Sequence, residues 1–202
     1  MKISWKAKEY NDAVVTVFID EELWREMPRI LAKSLKKSYV SFAALEEHSA
    51  DIEYAFAKTT AFKLLSKRHY PTEVMREKLH TRSISEAAIT RVIHDCQRFG
   101  FVNDVQWTES FVQQQMRQKN GPHVIMRKLQ EKGISRKMAT QSIKETVTPS
   151  VQHDLIRRLI ETRYASFRVD DLRERNKIFN ALMRKGFDRE CILAELQDLV
   201  IQ

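Results

Sequence analysis

GPHVIMRKLQEKGI, Gly121 to Ile134, echoes PTEVMREKLHTRSI, Pro71 to Ile84, fifty residues earlier, and returns more faintly as ERNKIFNALMRKGF, Glu174 to Phe187. An offset of fifty and then of fifty-three puts Leu79, Leu129 and Leu182 in one column and Ile84, Ile134 and Phe187 in another. Ser85, Ser135 and Asp188 follow at once. A small side chain with an acceptor oxygen before an apolar-periodic stretch is what a helix N-cap requires, so the loop between two helices recurs as well. Gly133 and Gly186 stand just before the apolar residue of that loop, where a chain leaving a helix often turns through positive φ; Ser83 is the exception.

A period near fifty residues means tandem units, each too short to bury a secure core by itself. In the first, Ala61, Phe62, Leu64 and Leu65 mark one helix, Val74, Met75, Lys78 and Leu79 a second, and Ala88, Ile89, Val92, Ile93 and Cys96 a third. The second unit places Trp107, Phe111, Val112 and Met116, then Val124, Ile125 and Leu129, then Met138, Ala139 and Ile143 in the same order. Gly121 followed by Pro122 supplies a permissive cap and then a proline at the first helical position, where a missing N–H costs nothing. Leu155, Leu159 and Ile160, then Ile178, Phe179 and Leu182, then Ile192, Leu196 and Leu199 give the third.

Before the repeats, Val14, Val15, Val17, Phe18 and Ile19 read as a strand ending at Asp20, with residues 3–8 as its hairpin partner through Asn11 and Asp12. From Glu21 the spacing of Leu23, Trp24, Met27, Ile30, Leu31 and Leu35 predicts an amphipathic helix interrupted near Pro28. The expected fold is therefore mainly α: three tandem three-helix repeats in an elongated, curved array, over 56–105, 106–150 and 151–202, capped by a small strand hairpin and helix over 1–55.

The net charge of +8 is unevenly placed. Residues 1–55 hold 8 basic and 10 acidic side chains, while 56–202 hold 27 and 17; within the latter, 106–150 hold 8 and 3. Such a field favours polyanions or an acidic protein surface. Arg117, Lys119, Arg127, Lys128, Lys132, Arg136, Lys137 and Lys144 carry it.

Chemistry of other kinds has no visible constellation. The chain lacks a glycine-rich phosphate loop, a nucleophile elbow, a CxxC pair and HExxH. Its six histidines are scattered and read as solvated helix-surface residues; His94 and Asp95 are adjacent and diverge on a helix. Cys96 and Cys191 fall on inner stripes of third helices and read as small core residues in a reducing compartment. Trp107, Phe111 and Phe179 lie on apolar stripes, as core residues do, rather than forming base-stacking platforms. No apolar run reaches the roughly 20 residues of a membrane span, and MKISWKAKEY lacks the core of a signal peptide. No enzyme activity, cofactor, metal or membrane is expected, and a cytoplasmic location is.

The run from Gly100 to Ile134 resembles the RecX family through Gly100, Phe101, Asp104, Glu109, Ser110, Phe111, Arg117, Gly121, Pro122, Ile125, Leu129, Lys132, Gly133 and Ile134. Ala61, Leu65, Arg68 and Leu79 fit the family's first repeat. The resemblance is good over roughly 55–145 and weaker in the third repeat. Val105 and Gln106 stand where the family is usually basic, Asn103 replaces an Asp, and Trp107 replaces a Phe. The resemblance implies a regulator that binds in the groove of the RecA recombinase filament on single-stranded DNA; a monomer is expected, and the one-sided charge makes Arg117, Lys119, Arg127, Lys128, Arg136 and Lys137 its expected docking field. The alternative is a basic protein that binds single- or double-stranded DNA without RecA.

Overall fold

A loop that appears three times explains the architecture. Ser83, Gly133 and Gly186 all have left-handed φ, at 56°, 77° and 81°. Each donates its N–H three residues back, to the carbonyls of His80, Gln130 and Met183 at 2.9 Å. The turn is thus the same in every copy; glycine adopts it without strain, and Ser83 is held in it despite its Cβ. The next residue, Ile84, Ile134 or Phe187, plugs into the core at 4% exposure or less. Ser85 and Ser135 then cap the following helix by accepting from the N–H of Ala88 and of Met138.

A computed structural model of the chain describes residues 1–8, 11–165, 167 and 171–201. It contains three antiparallel strands, β1 (Ile3–Lys8), β2 (Asn11–Ile19) and β3 (Glu22–Pro28), in the order β1-β2-β3. A short helix α1 (Arg29–Ser34) follows. The repeats are α2 (Phe42–Leu65), α3 (Thr72–His80) and α4 (Glu86–Arg98); α5 (Asp104–Arg117), α6 (Pro122–Gln130) and α7 (Arg136–Thr146); and α8 (Pro149–Arg163), α9 (Leu172–Arg184) and α10 (Arg189–Ile201). The chain divides into two compact units, Met1–Asn103 and Asp104–Gln202.

In the first unit, the segment expected to be helical from Glu21 is instead a strand as far as Pro28. Asp20 and Glu21 take φ of 47° and 74°, and Ile19 pairs with Glu22. Two consecutive left-handed residues make the tight turn whose twist suits a hairpin, and the chain reverses there. The helical spacing of Leu23 and Ile30 was coincidental, since these side chains are 68% and 60% exposed. Only after Pro28, whose fixed φ starts a helix as readily as it ends a strand, does α1 form. Asn11 already pairs with Lys8, so Asn11 and Asp12 belong to β2 and not to the hairpin turn. Val15, Val17, Met27, Leu31 and Ala32 form the core between sheet and α1.

Helix α2 runs unbroken through residue 55, and its C-terminal half packs with α3 and α4 around Met75, Leu79, Ile84, Ile89 and Val92. In the second unit, α5, α6 and α7 enclose Val112, Ile125, Leu129, Ile134 and Ala139, and α8, α9 and α10 enclose Ile156, Ile178, Leu182, Phe187 and Ile192. The aligned columns are therefore core columns: Leu79, Leu129 and Leu182 are fully buried, as are Ile89, Ala139 and Ile192. Cys96 and Cys191 are free and buried. Leu199, in the Cys96 column, lies outside the described side chains.

A second device recurs with altered chemistry. In the first repeat, Glu53 of α2 reaches the cap of α4, accepting from the Ser85 N–H at 2.9 Å and the Ser85 hydroxyl at 2.7 Å. In the third repeat, Gln152 of α8 reaches the corresponding Asp188, accepting from its N–H at 3.1 Å and donating to its carboxylate at 2.6 Å. Each tie fixes the first helix of a repeat against the start of the third.

Candidate functional site

The second unit positions the basic residues through a close backbone contact. Gly121 donates its N–H to the carbonyl of Lys185 at 2.8 Å, and His123 donates to the carbonyl of Gly186 at 3.0 Å. The otherwise unsatisfied N–H groups at the start of α6 thus meet carbonyls just past the end of α9. A Cβ on Gly121 would lie 2.3 Å from the Gly186 oxygen, and one on Gly186 would lie 2.5 Å from the Val124 nitrogen. The φ of Gly121 is an ordinary −82°, so glycine is required there for the approach rather than for the turn.

This contact gathers cations. Lys119, in the α5–α6 connection, extends Nζ to within 3.4 Å of the Thr162 hydroxyl near the end of α8. Lys128 on α6 donates to the side-chain carbonyl of buried Gln115 at 2.7 Å, and Asn120 donates to the same oxygen at 2.9 Å. Burial pushes the Lys185 ammonium below its ordinary pKa, and the charges of Arg163, Lys119 and Lys128 push it further. Three further cations therefore act on the Lys185 ammonium, and among the described residues none of the four has a carboxylate partner. Arg163 and Lys185 come from the third repeat, and no sequence pattern marks them; the Gly121 contact and the approach of Lys119 to Thr162 bring them to Lys119 and Lys128.

The remaining residues of the expected docking field lie elsewhere on the unit. Arg117 is exposed in the last turn of α5. Arg127 points about 100° around α6 from Lys128 and approaches Glu131 at 3.7 Å, an exposed pair one helical turn apart. Arg136 and Lys137 are exposed in the first turn of α7, where the helix dipole disfavours positive charge. Among the described residues no hydrogen bond joins these four to the Lys119, Lys128, Arg163 and Lys185 group.

Three of the histidines expected to be solvated have partners. His123 Nε2 lies 2.9 Å from Asp188, His153 Nδ1 lies 3.0 Å from Glu195, and His48 Nδ1 lies 2.6 Å from the Tyr39 hydroxyl. Glu195 is buried and also accepts two bonds from Arg157 at 3.1 Å, and this hydrogen-bonded pairing raises the Arg157 pKa. His94 does not diverge from Asp95 but comes within 3.8 Å of it. Trp107 stacks on Phe111 with ring centroids 4.9 Å apart, half-buried against the core of the second repeat. Among the described residues no group of three or more His, Cys, Asp or Glu side chains could hold a metal ion, and no helix is long and apolar enough to cross a membrane. What this face offers chemically is attraction for anions.

Comparison with known proteins gives the fold a lineage. The second three-helix domain of RecX matches residues 103–143, and the third three-helix domain of RecX matches residues 151–194. The regulatory protein RecX of Clostridium perfringens (strain 13 / Type A) is 24% identical over 186 residues, covering 90% of this chain and 84% of that one. The regulatory protein RecX of Legionella pneumophila (strain Corby) is 28% identical over 135 residues, covering 66% of this chain and 87% of its own length. The crystal structure of RecX from Lactobacillus salivarius, 27% identical, superimposes with a TM-score of 0.68 over 75% of this chain and 99% of that one. A further solved structure of regulatory protein RecX shares the fold at 18% identity, with a TM-score of 0.68 over 98% of both chains. The third repeat, faint as an internal echo, thus has its own counterpart, and the consecutive domains, relatives and fold agree: the chain belongs to the RecX family.

Proposed function

We propose that this protein is a regulatory, non-catalytic modulator of the RecA recombinase, acting in the cytoplasm as a monomer bound in the groove of the RecA–single-stranded DNA filament. The observation that carries this reading is the group of Lys119, Lys128, Arg163 and Lys185 in a chain of the RecX family. Four cations held together without a carboxylate repel one another, and an acidic partner surface or a phosphate backbone relieves that repulsion on binding. Arg117, Arg127, Arg136 and Lys137 widen the field around them. Binding across adjacent RecA subunits shifts the filament between its extended, active form and a shorter or disassembling one, to the degree that the two forms are bound unequally.

The test is RecA ATP hydrolysis on single-stranded DNA, with this protein substoichiometric and the DNA in large excess. Hydrolysis is expected to fall, because so little protein cannot sequester the DNA, and charge reversal at Lys119, Lys128 and Lys185 is expected to restore it without loss of fold. Unchanged hydrolysis by the wild type would remove the proposal. The second reading, a DNA-binding protein independent of RecA, draws on the same unpaired cations. It requires DNA affinity that falls steeply with salt, with no effect on RecA.

A further inference from the structure

The first unit carries a surface feature that filament docking by the second unit does not use. Helix α4 ends at Arg98 with Phe99 as its C-cap, and Gly100, with a φ of 74°, turns the chain so that the N–H groups of Phe101 and Val102 both bond the Cys96 carbonyl, at 2.8 and 3.1 Å. Val102 takes the core position at 3% exposure, which leaves Phe99 and Phe101 outside at 61% and 48%. Phe62, on the adjacent face of α2, is 38% exposed and meets Phe101 edge-on with centroids 5.4 Å apart; Phe99 lies 6.5 Å from Phe101. The three rings wall a cleft of about 230 Å³ with Tyr54 and Cys96 behind them. Exposed aromatic clusters forgo the stabilisation of burial, and on a soluble surface they mark a place that something else covers.

The rim indicates what covers it. Lys58 lines the cleft and lies 5.7 Å from the centroid of the Tyr54 ring, Arg91 stacks on that same ring at 4.0 Å, and Arg98 stacks on Phe99 at 5.2 Å. Against these stand Asp95, whose carboxylate receives the Tyr54 hydroxyl at 2.5 Å, and Asp51, 3.9 Å from Arg91; His94 adjoins Asp95. Aromatic faces at the centre and an excess of cations at the edge suit a ligand that is flat and apolar in its rings and anionic along its chain. That combination belongs to unpaired nucleotides, because a duplex hides its base faces.

We propose that the cleft formed by Phe62, Phe99 and Phe101 binds single-stranded nucleic acid, stacking one or two bases while Lys58 and Arg98 hold the flanking phosphates. Asp95 presents an acceptor to base amino groups at the cleft wall, so cytosine is favoured over thymine. The site is independent of the cation group in the second unit.

The test is fluorescence anisotropy of a labelled cytidine homopolymer with the full-length protein. The comparisons are the Phe99→Ala/Phe101→Ala variant, the Phe101→Trp variant, and an abasic strand of equal charge. Removing a stacking ring is expected to weaken binding about tenfold to a hundredfold without changing its salt dependence. Phe101→Trp is expected to retain affinity, and the abasic strand to bind as weakly as the double variant. Should the double variant melt early, the single Phe99→Ala variant, at the more exposed ring, carries the test. The proposal is overturned if the wild type does not bind the homopolymer, if the abasic strand binds equally well, or if the alanine variants keep full affinity. Alanine variants with full DNA affinity that lose the effect on filament hydrolysis would assign the cleft to a protein partner instead.

Discussion

Two side-chain groups, one in each unit, treat charge in opposite ways. In the first, Arg25 of the sheet reaches Glu53 at 3.2 Å and also bonds Ser49, while Glu53, only 2% exposed, holds the cap of α4 through Ser85. Every oxygen of that carboxylate is occupied, and the charge is matched where it lies. In the second unit, Lys119, Lys128, Arg163 and Lys185 converge with no carboxylate among the described residues to match them. The first arrangement joins sheet, α2 and α4; the second raises the energy of the folded state, and the function proposed above has that energy recovered on binding.

Substitutions sharpen this contrast to different degrees. The largest loss is expected from Glu53→Ala, which strands Arg25 and leaves the Ser85 N–H without an acceptor. Breaking a buried pair from one side costs about 3–5 kcal/mol, measurable as a lowered urea midpoint, whereas Gln152→Ala removes a tie between neutral amide groups and Asp188 and is expected to cost about 1–3 kcal/mol. Equal losses would mean that charge is not what distinguishes the two ties.

Next comes Gly186→Ala, which suffers both from its φ of 81° and from a Cβ placed 2.5 Å from the Val124 nitrogen; it is expected to cost more than about 2 kcal/mol and to disperse the cation group. Gly133→Ala, opposed by a φ of 77°, is expected to cost about 1–2 kcal/mol, and Ser83→Gly to stabilise by up to about 1 kcal/mol. A thermal melt of the three variants orders them, and a neutral Ser83→Gly would mean that the loop is not strained.

The smallest effect separates stability from activity most cleanly. Lys185→Met is expected to raise the melting temperature slightly while weakening filament inhibition. Because the folded-state pKa of Lys185 lies below its unfolded value of 10.5, the unfolded chain holds the proton longer, and the wild type gains stability as pH rises between the two values. That rise should be smaller in Lys185→Met, in a buffer series of melts. If both proteins respond alike, Lys185 is not a repelled charge.

Much of the fold was legible because burial repeats. Leu79, Leu129 and Leu182 recur because three cores need the same plug, and Ser85 and Ser135 recur because an exposed helix start needs an acceptor. Strand β3 was not legible, because Leu23, Trp24, Met27 and Ile30 mimic a helical stripe and the deciding feature, left-handed φ at Asp20 and Glu21, belongs to residue types that do not announce it. Of the candidate site, Lys119 and Lys128 were visible in the one-sided charge of the second repeat. The exposure of Phe99 and Phe101 was hidden, since an aromatic before and after a glycine reads equally well as core.

By itself the sequence determined the period, the helix count of each repeat, the core columns, the capped loops and the sign of the field. These follow from local rules, in which a residue's type and its spacing from near neighbours set backbone preference and buried face. Tertiary structure alone decided that Arg163 and Lys185 join Lys119 and Lys128, that Glu53 is locked between Arg25 and Ser85, and that Gly121 is needed for contact with Gly186. Those pairings join residues more than twenty positions apart, and their energies depend on distances and desolvation that exist only once the helices have packed.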